Sequence, residues 1–433
     1  MEKEILKQAY RAWSSAGELR SRRNRYKRYT YGDQWSDMVT DGRGRVVAEG
    51  ELLAASGKHP MINNLIRQLV KTVVGRYRSI VSEEGRYTDP ISVRNSLGEL
   101  DSRLLEEFLI SGTAVQRIVR EERFGSDGVW VDNVDMPLFF VNRFKDPRGW
   151  DINLVGQLHD LSFPEVVRRF GGGSGVRAEY LRRLFSEIDS GGSFAAETLG
   201  EPGGDVSFFT PSSAGFCRVA EVWTLDGHLQ ERAQDDSVGV EMGWRCRWFA
   251  PDGTLLDSYD SPYGHGSHPY VVKFYPLTDG EVHSFVEDVI EQQRSINRLI
   301  VLIDKIMATS AKGVLLFPAD QMVEGMGWEE ITQRWAQADG VIPITGRGEH
   351  LPQQVMTNPG ASGAYQFLQL QMKLFDDIAG VGDALLGRTV QTARGVEMLD
   401  RQISNATIAL ADIYESFGSF VRSRDDKVSG IVG

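Results

Sequence analysis

In the last third of this 433-residue chain, apolar residues recur at alternating steps of three and four: Val396, Leu399, Ile403, Ala406, Leu410, Ile413, Phe417 and Phe420. An average step near 3.5 residues lays these side chains along one narrow stripe of a helix, and such a stripe calls for partner helices. Two further amphipathic helices precede it, over residues 284–310 and near 362–378, with a small α/β insert between them. The region reads as a part built for assembly.

With 41% hydrophobic and 25% charged residues the chain has enough apolar surface for a sizeable core, divided over two or three domains. It has no run of 18 uncharged apolar residues, and MEKEILKQAY lacks an apolar leader segment, so a spanning helix and a signal peptide are both unexpected and a cytoplasmic protein is inferred. Cys217 and Cys246 sit in strand-like runs without a CxxC partner and read as buried thiols. A net charge of −12 argues against tight wrapping of nucleic acid, which depends on clustered Lys and Arg. The charge is uneven, however: residues 1–30 hold nine basic side chains against three acidic ones.

Periodicity gives an α+β, mainly helical class. Helices are expected over 2–29, 61–77 and 100–111, packed on one another or on a sheet. A hairpin is expected to turn at Gly125-Ser126-Asp127-Gly128. An antiparallel meander follows from the alternation in 218–223, 244–249 and 255–258, with short helices at 163–170 and 178–188 and one more strand at 271–275. On the 284–310 helix, Asp288, Gln292, Gln293 and Asn297 form the polar side and Phe285, Val289, Ile296, Ile300, Ile303 and Met307 the apolar one. The insert is expected to hold a strand at 314–317, a helix at 328–338 and a strand at 341–344. On that helix Trp328 and Trp335 are expected in a core.

Catalytic signatures are poor. Residues 50–59 approach a phosphate loop, but Leu52 stands where the first Gly belongs and His59 replaces the Mg²⁺-binding Ser or Thr. His265 and His268 offer two imidazoles but no third ligand at metal-site spacing, and Ser174 lacks the strand that a nucleophile elbow requires. No catalytic residue, metal or cofactor is assigned. The segment from Gly387 to Gly395 stands out instead: Arg388, Thr389, Gln391, Thr392 and Arg394 lie between glycines without an apolar plug, a composition suited to touching a phosphate backbone without reading bases.

The order of several short motifs resembles the portal proteins of tailed double-stranded-DNA bacteriophages. They are Tyr31-Gly32-Asp33-Gln34-Trp35, Asn63-Asn64-Leu65-Ile66, Val74-Gly75-Arg76-Tyr77, Phe144-Lys145-Asp146-Pro147, Leu161-Ser162-Phe163-Pro164-Glu165, the run from Gly280 to Val286, and Gln293-Arg294-Ser295-Ile296-Asn297-Arg298. The resemblance implies a ring, usually of twelve copies, at one capsid vertex of the virion, assembled in the bacterial host cytoplasm. Double-stranded DNA is packaged and ejected through it. It implies a wing (1–279), a first stem helix (280–311), a clip (312–357), a second stem helix (358–381), a tunnel loop (382–395) and a C-terminal helix (396–433), with the crown short or absent. The tunnel loop would present Arg388 to Arg394 to DNA. Met322, Glu324, Met326 and Trp328 of the clip would meet partners. Those partners would be the terminase large subunit, head-completion or adaptor proteins, and the major capsid or scaffolding protein, with no membrane. Lateral contacts would use Ile296, Leu299, Ile303, Leu399, Ile403 and Leu410.

Physics is compatible with a conduit, because an acidic wall lets phosphates slide where a basic one would hold them. Two other readings stay open: a metal-dependent nuclease or protease of a mobile element using His265 and His268, and a coiled-coil scaffold adaptor.

Overall fold

The computed structural model describes residues 2–123, 125–172, 175–189, 206–231, 238–310, 314–336, 341–346, 350–355, 360–381 and 410–432. These fall into two compact units, one made of residues 1–33, 64–290 and 377–433, the other of 34–63 and 291–376.

The first unit opens with helices α1 (Glu2–Ser15) and α2 (Gly17–Tyr31), one helix more than the single one expected there. Helices α4 (Leu65–Glu83) and α6 (Leu97–Ser111) pack with α2, as their broad apolar faces require. Asn64 caps α4 by accepting from Arg67 N at 3.0 Å, and Asp89 caps the short α5 (Pro90–Asn95) through Ile91 N and Ser92 N. At the end of α6 the chain turns at Gly112 (φ 72°), where a Cβ would stand 2.6 Å from Tyr275 O, so only glycine fits.

The expected hairpin is present: β3 (Thr113–Arg123) pairs with β4 (Ser126–Asn133), and β10 (Tyr270–Phe274) joins the other side of β3. The meander is present too, inside a five-stranded antiparallel sheet ordered β5 (Phe139–Val141), β6 (Leu154–Ser162), β7 (Phe216–Glu231), β8 (Val238–Phe249) and β9 (Leu255–Asp260). Its alternation does not separate core from solvent. Cys217, Val219 and Trp223 meet α7 (Phe163–Phe170) and α8 (Gly175–Asp189) on one face, whereas Ala220 and Val222 meet Leu6, Tyr10 and Trp13 of α1 on the other. Helices on both faces bury both parities of the strand.

The C-terminal helix α12 (Ala411–Val432) lies against β3, β4 and β10. Ile413, Phe417 and Phe420 are buried there, and so is Leu410 just before it. The described end of the heptad stripe is therefore spent inside this unit, where strands β3, β4 and β10 together with Tyr77 of α4 and Phe108 of α6 cover it.

In the second unit, a two-stranded β1 (Met38–Thr40) and β2 (Val46–Ala48) leads into α3 (Glu49–Ala55). The long helix α9 (Ile290–Ser310) starts later than expected, because Ser284 and the 3-10 turn Glu287–Val289 precede it. Gln293 and Asn297 are not on a solvated side. Asn297 donates to Gln34 Oε1 at 2.6 Å and accepts from Asn63 N at 3.1 Å, while Gln293 donates to Asn63 O at 2.7 Å and to Asn297 Oδ1 at 3.0 Å. Both are buried, since an amide that saturates its hydrogen bonds can leave water.

The insert departs from expectation as well. Strand β11 (Val314–Leu316) pairs not with residues 341–344, which form no strand, but with β12 (Gln353–Val355). Helix α10 (Trp328–Ala336) follows β11, and α11 (Gly360–Ala379) follows β12.

Candidate assembly and DNA-facing surfaces

Helix α11 carries an unburied apolar row. Phe367, Leu370, Leu374 and Ile378 recur at steps of three and four and are all exposed, as is Tyr365 at 56%, while Phe375 is buried. Leu302 and Met307 on α9 are exposed in the same way. Single exposed apolar residues are ordinary; a row of them at helical spacing is an uncovered apolar stripe, the kind of surface at which association is looked for.

The residues singled out for lateral contact divide. Ile296 is 0% exposed and Leu410 is 1% exposed, so both hold their own protomer together. Leu299 and Ile303 are half-buried and retain accessible surface. Leu399 and Ile403 lie outside the described residues, as do Arg388, Thr389, Gln391, Thr392 and Arg394 of the expected DNA-facing loop.

In the insert, Ile331 and Gln321 form the buried centre. Gln321 donates to His350 O at 3.0 Å and accepts from Gly346 N at 3.1 Å. Trp328 is not in that core. It is 55% exposed, with its ring edge-on to Phe317 at 6.3 Å, and Trp335 is only half-buried. A Trp at the first position of a nine-residue helix has no preceding turn to cover it. Glu324 is exposed beside it, and Met322 and Met326 are half-buried.

No enzyme centre comes together around the histidines. His268 is buried with its ring edge-on to Trp244 at 4.5 Å, and its Nδ1 accepts from Tyr270 N. Among the described residues no group of three or more His, Cys, Asp or Glu is placed to hold a metal. Both cysteines are free and buried as expected, and burial pushes the Cys217 thiol up to about 12, which removes the reactive thiolate.

Two buried ionic clusters escaped the sequence reading. In the five-stranded sheet, Glu221 accepts from His159 Nε2 and Trp223 Nε1, both at 2.8 Å, and pairs with Arg117 at 3.2 Å. Burial alone would raise the Glu221 carboxyl, but Arg117 and the two hydrogen bonds outweigh it and hold the group well below its usual range. In the second cluster, Arg424 of α12 donates to both oxygens of Asp101 at 2.7 and 2.6 Å, and Tyr87 Oη and Gln116 Nε2 donate to the same carboxylate. Both clusters join separate elements of the fold, and Tyr87 and Arg424 of the second also line a cavity of about 440 Å³.

The chain's likeness to known proteins agrees with these surfaces. Residues 214–422 match the model of the phage P22-like portal protein family. This half of the chain is portal-like. Among curated proteins the chain finds no match. The portal match runs from β7 through the insert and both long helices into α12, and so takes in the exposed row of α11. The nuclease or protease reading has no support from the match or from the histidine geometry.

Proposed function

We propose that the protein is a portal: a closed ring, of twelve copies by analogy with the family, that stands at one capsid vertex of a tailed phage and conducts double-stranded DNA during packaging and ejection. The observation that carries this reading is the portal-family match over residues 214–422. The uncovered apolar row on α11 and the exposed Leu302 and Met307 of α9 support it, since a ring made of identical lateral contacts must bury such rows between copies.

On this reading residues 280–311 and 358–381 are the stem, 312–357 the clip and 382–395 the tunnel loop. Arg388 and Arg394 touch phosphates without base preference. Trp328 and Glu324, with Met322 and Met326, meet the terminase large subunit and later the head-completion proteins. Lateral contact falls to α11 and to Leu299 and Ile303. No chemistry is assigned to the chain. Among the described residues no helix is long and apolar enough to cross a membrane, in keeping with a virion component.

Electron microscopy and native mass spectrometry of the purified protein test this directly. The expected result is closed rings near the mass of twelve 48.4 kDa chains. A protomer that stays monomeric at high concentration across salt conditions defeats the proposal. The double variant Arg388→Ala/Arg394→Ala is expected to form rings yet fail in DNA packaging or retention; loss of rings there removes the tunnel-loop assignment.

A further inference from the structure

The connection between β5 and β6, residues 142–153, is bonded to itself. Asn142 Oδ1 accepts from Asn153 N at 2.9 Å and Leu154 N at 3.1 Å, and Asp151 Oδ2 accepts from Lys145 N at 2.7 Å. Gly149 N donates to Asp146 O at 2.8 Å, and Phe144 and Ile152 enter the core at either end. On this fixed base Trp150 stands 76% exposed. The Arg148 guanidinium lies 3.7 Å from the ring centroid and is itself held by Asp146 at 2.9 Å. Holding a large aromatic ring rigid in water gains nothing within the chain, whereas at an interface it saves the ordering cost of binding.

The loop also sets the charge of its partner. Asp146 is spent on Arg148 and Asp151 on backbone N–H groups of the loop, while Arg143 and Lys145 are exposed and form no ion pair among the described residues. The matching surface is an apolar recess with an acidic rim, and this chain has one. The cavity of about 440 Å³ between the 85–92 turn and α12 has Ile91, Leu97, Val421 and Val428 in its walls. Arg86 is paired to Glu84, and Arg424 is shared by Asp101 and Asp425, so negative charge is in excess, with Asp89 and Asp425 exposed at the rim. Tyr87 stands in the same wall at φ 65°, an outlier for a bulky residue, held there by its hydrogen bond to Asp101 at 2.6 Å. Backbone strain of this kind collects at clamps for ligands.

We infer that Trp150 is a knob that seats in the recess beside Tyr87 of a neighbouring copy of this chain, with Arg143 and Lys145 set against Asp89 and Asp425. Knob and recess are built from different elements, so the contact is heterologous: each copy gives a knob to one neighbour and receives one from the other, and the series ends when a ring closes. A larger cavity of about 580 Å³ serves less well, because Arg143 and Phe144 of the loop itself line it. A knob beside its own hole would pair two copies face to face and stop at a dimer. The inference rests on the ring reading above and adds to the α11 contact a second one, made by another part of the chain.

Two variants of the full chain and one cross-linking measurement test it. Trp150→Ala removes an exposed ring, and Ser429→Trp fills the recess from its rim on α12. Both are expected to keep the protomer's melting temperature and to raise the concentration for half-assembly by at least about tenfold. Because the two changes break one contact, the double variant is expected to assemble no worse than either single one. For the cross-link, chains with p-benzoylphenylalanine in place of Trp150 are mixed with isotopically heavy wild-type chains and irradiated. Coupling is expected from position 150 of a light chain into residues 85–92 or 421–429 of a heavy one. Should Ser429→Trp fold poorly, Trp150→Ala and the cross-link decide. Wild-type assembly of Trp150→Ala, or cross-links that stay within single chains or land elsewhere on the neighbour, overturns the knob and leaves the ring reading standing. Absence of rings from the wild type overturns the ring reading and the knob with it.

Discussion

Helices α11 and α12 carry the same kind of apolar spacing and put it to opposite uses. In α12 the row ends in Ile413, Phe417 and Phe420, all buried, Arg424 is drawn inside with them, and Lys427 is half-buried. In α11 the row Phe367, Leu370, Leu374 and Ile378 is left exposed. Spacing therefore says that a helix needs a cover and not where the cover comes from. The polar residues between the apolar ones decide it: α12 brings Arg424 and Lys427 to buried acceptors on β10, α6 and the loop before β10, whereas α11 offers no such anchor among its described hydrogen bonds.

The sharpest way to break this contrast is to remove an anchor of α12. Arg424 and Asp101 are 1% and 0% exposed and form a bidentate pair, so Arg424→Ala leaves a carboxylate buried without its counter-charge. A loss of about 3–5 kcal/mol in chemical denaturation is expected. Phe417→Ala, which empties a fully buried site between Tyr77, Phe108 and Phe420, is expected to cost a similar amount, about 3–5 kcal/mol. If α12 were covered only on assembly, both losses would be under about 1 kcal/mol in the isolated protomer.

A smaller effect, with a defined sign, comes from Lys427. Its ammonium donates to His268 O at 2.6 Å and Tyr270 O at 2.7 Å and lies 3.4 Å from His268 Nδ1, with His265 nearby and no carboxylate paired to it among the described residues. Burial brings its pKa down to about 7 from the ordinary 10.5. Between those values the unfolded chain holds a proton that the folded one has released, so stability rises with pH across the window and is lost as pH falls toward 7. From pH 7.5 to 9.5 the wild type is expected to gain about 2 kcal/mol relative to Lys427→Met. A difference between the two proteins that stays constant over this range would show that Lys427 is not desolvated and that α12 sits more loosely than its buried row suggests.

The parts legible in the sequence were those set by local pattern. The β3–β4 hairpin, the β7–β9 meander and the helices expected over 61–77 and 163–170 follow from alternation, turn residues and helical periodicity. Motif order was legible too, and its physical basis is partly visible: the buried Gln34, Gln293 and Asn297 and the backbone of Asn63, drawn from three of the motifs that resemble portals, meet in one hydrogen-bond network. Face does not report exposure on α9: Gln293 and Asn297 of its polar side and Ile296 of its apolar side are all buried within the protomer. Which stripes are covered within the chain depends on long-range pairing, as between Asp101 and Arg424, and no spacing rule reports it. The exposed row of α11 was recoverable only as the helix left over once the others had found their cover.

The other side of the contrast calls for variants that leave stability alone. Leu370→Glu on α11 places a charge on an already exposed site, so the protomer's unfolding free energy is expected to move by no more than about 0.5 kcal/mol. Assembly should respond far more strongly, because closing a neighbour over that site would bury an unpaired carboxylate. If the wild type forms the proposed rings, analytical ultracentrifugation is expected to show protomers for this variant, and intact rings from it would move the lateral contact off α11.

The smallest change separates assembly from docking. Trp328→Ala removes a ring that is more than half exposed and touches Phe317 only edge-on, so both stability and ring formation should be unchanged within about 0.5 kcal/mol. Exposed tryptophans are costly to solvate and favoured at interface centres, so the loss is expected in binding to the packaging motor, by at least about tenfold, or 1.4 kcal/mol. Motor binding that is unaffected, measured on rings of normal size, would place the docking surface elsewhere on the insert. Rings that fail to form would instead make Trp328 a contact between copies, and the exposed apolar surface of this unit would then serve assembly alone.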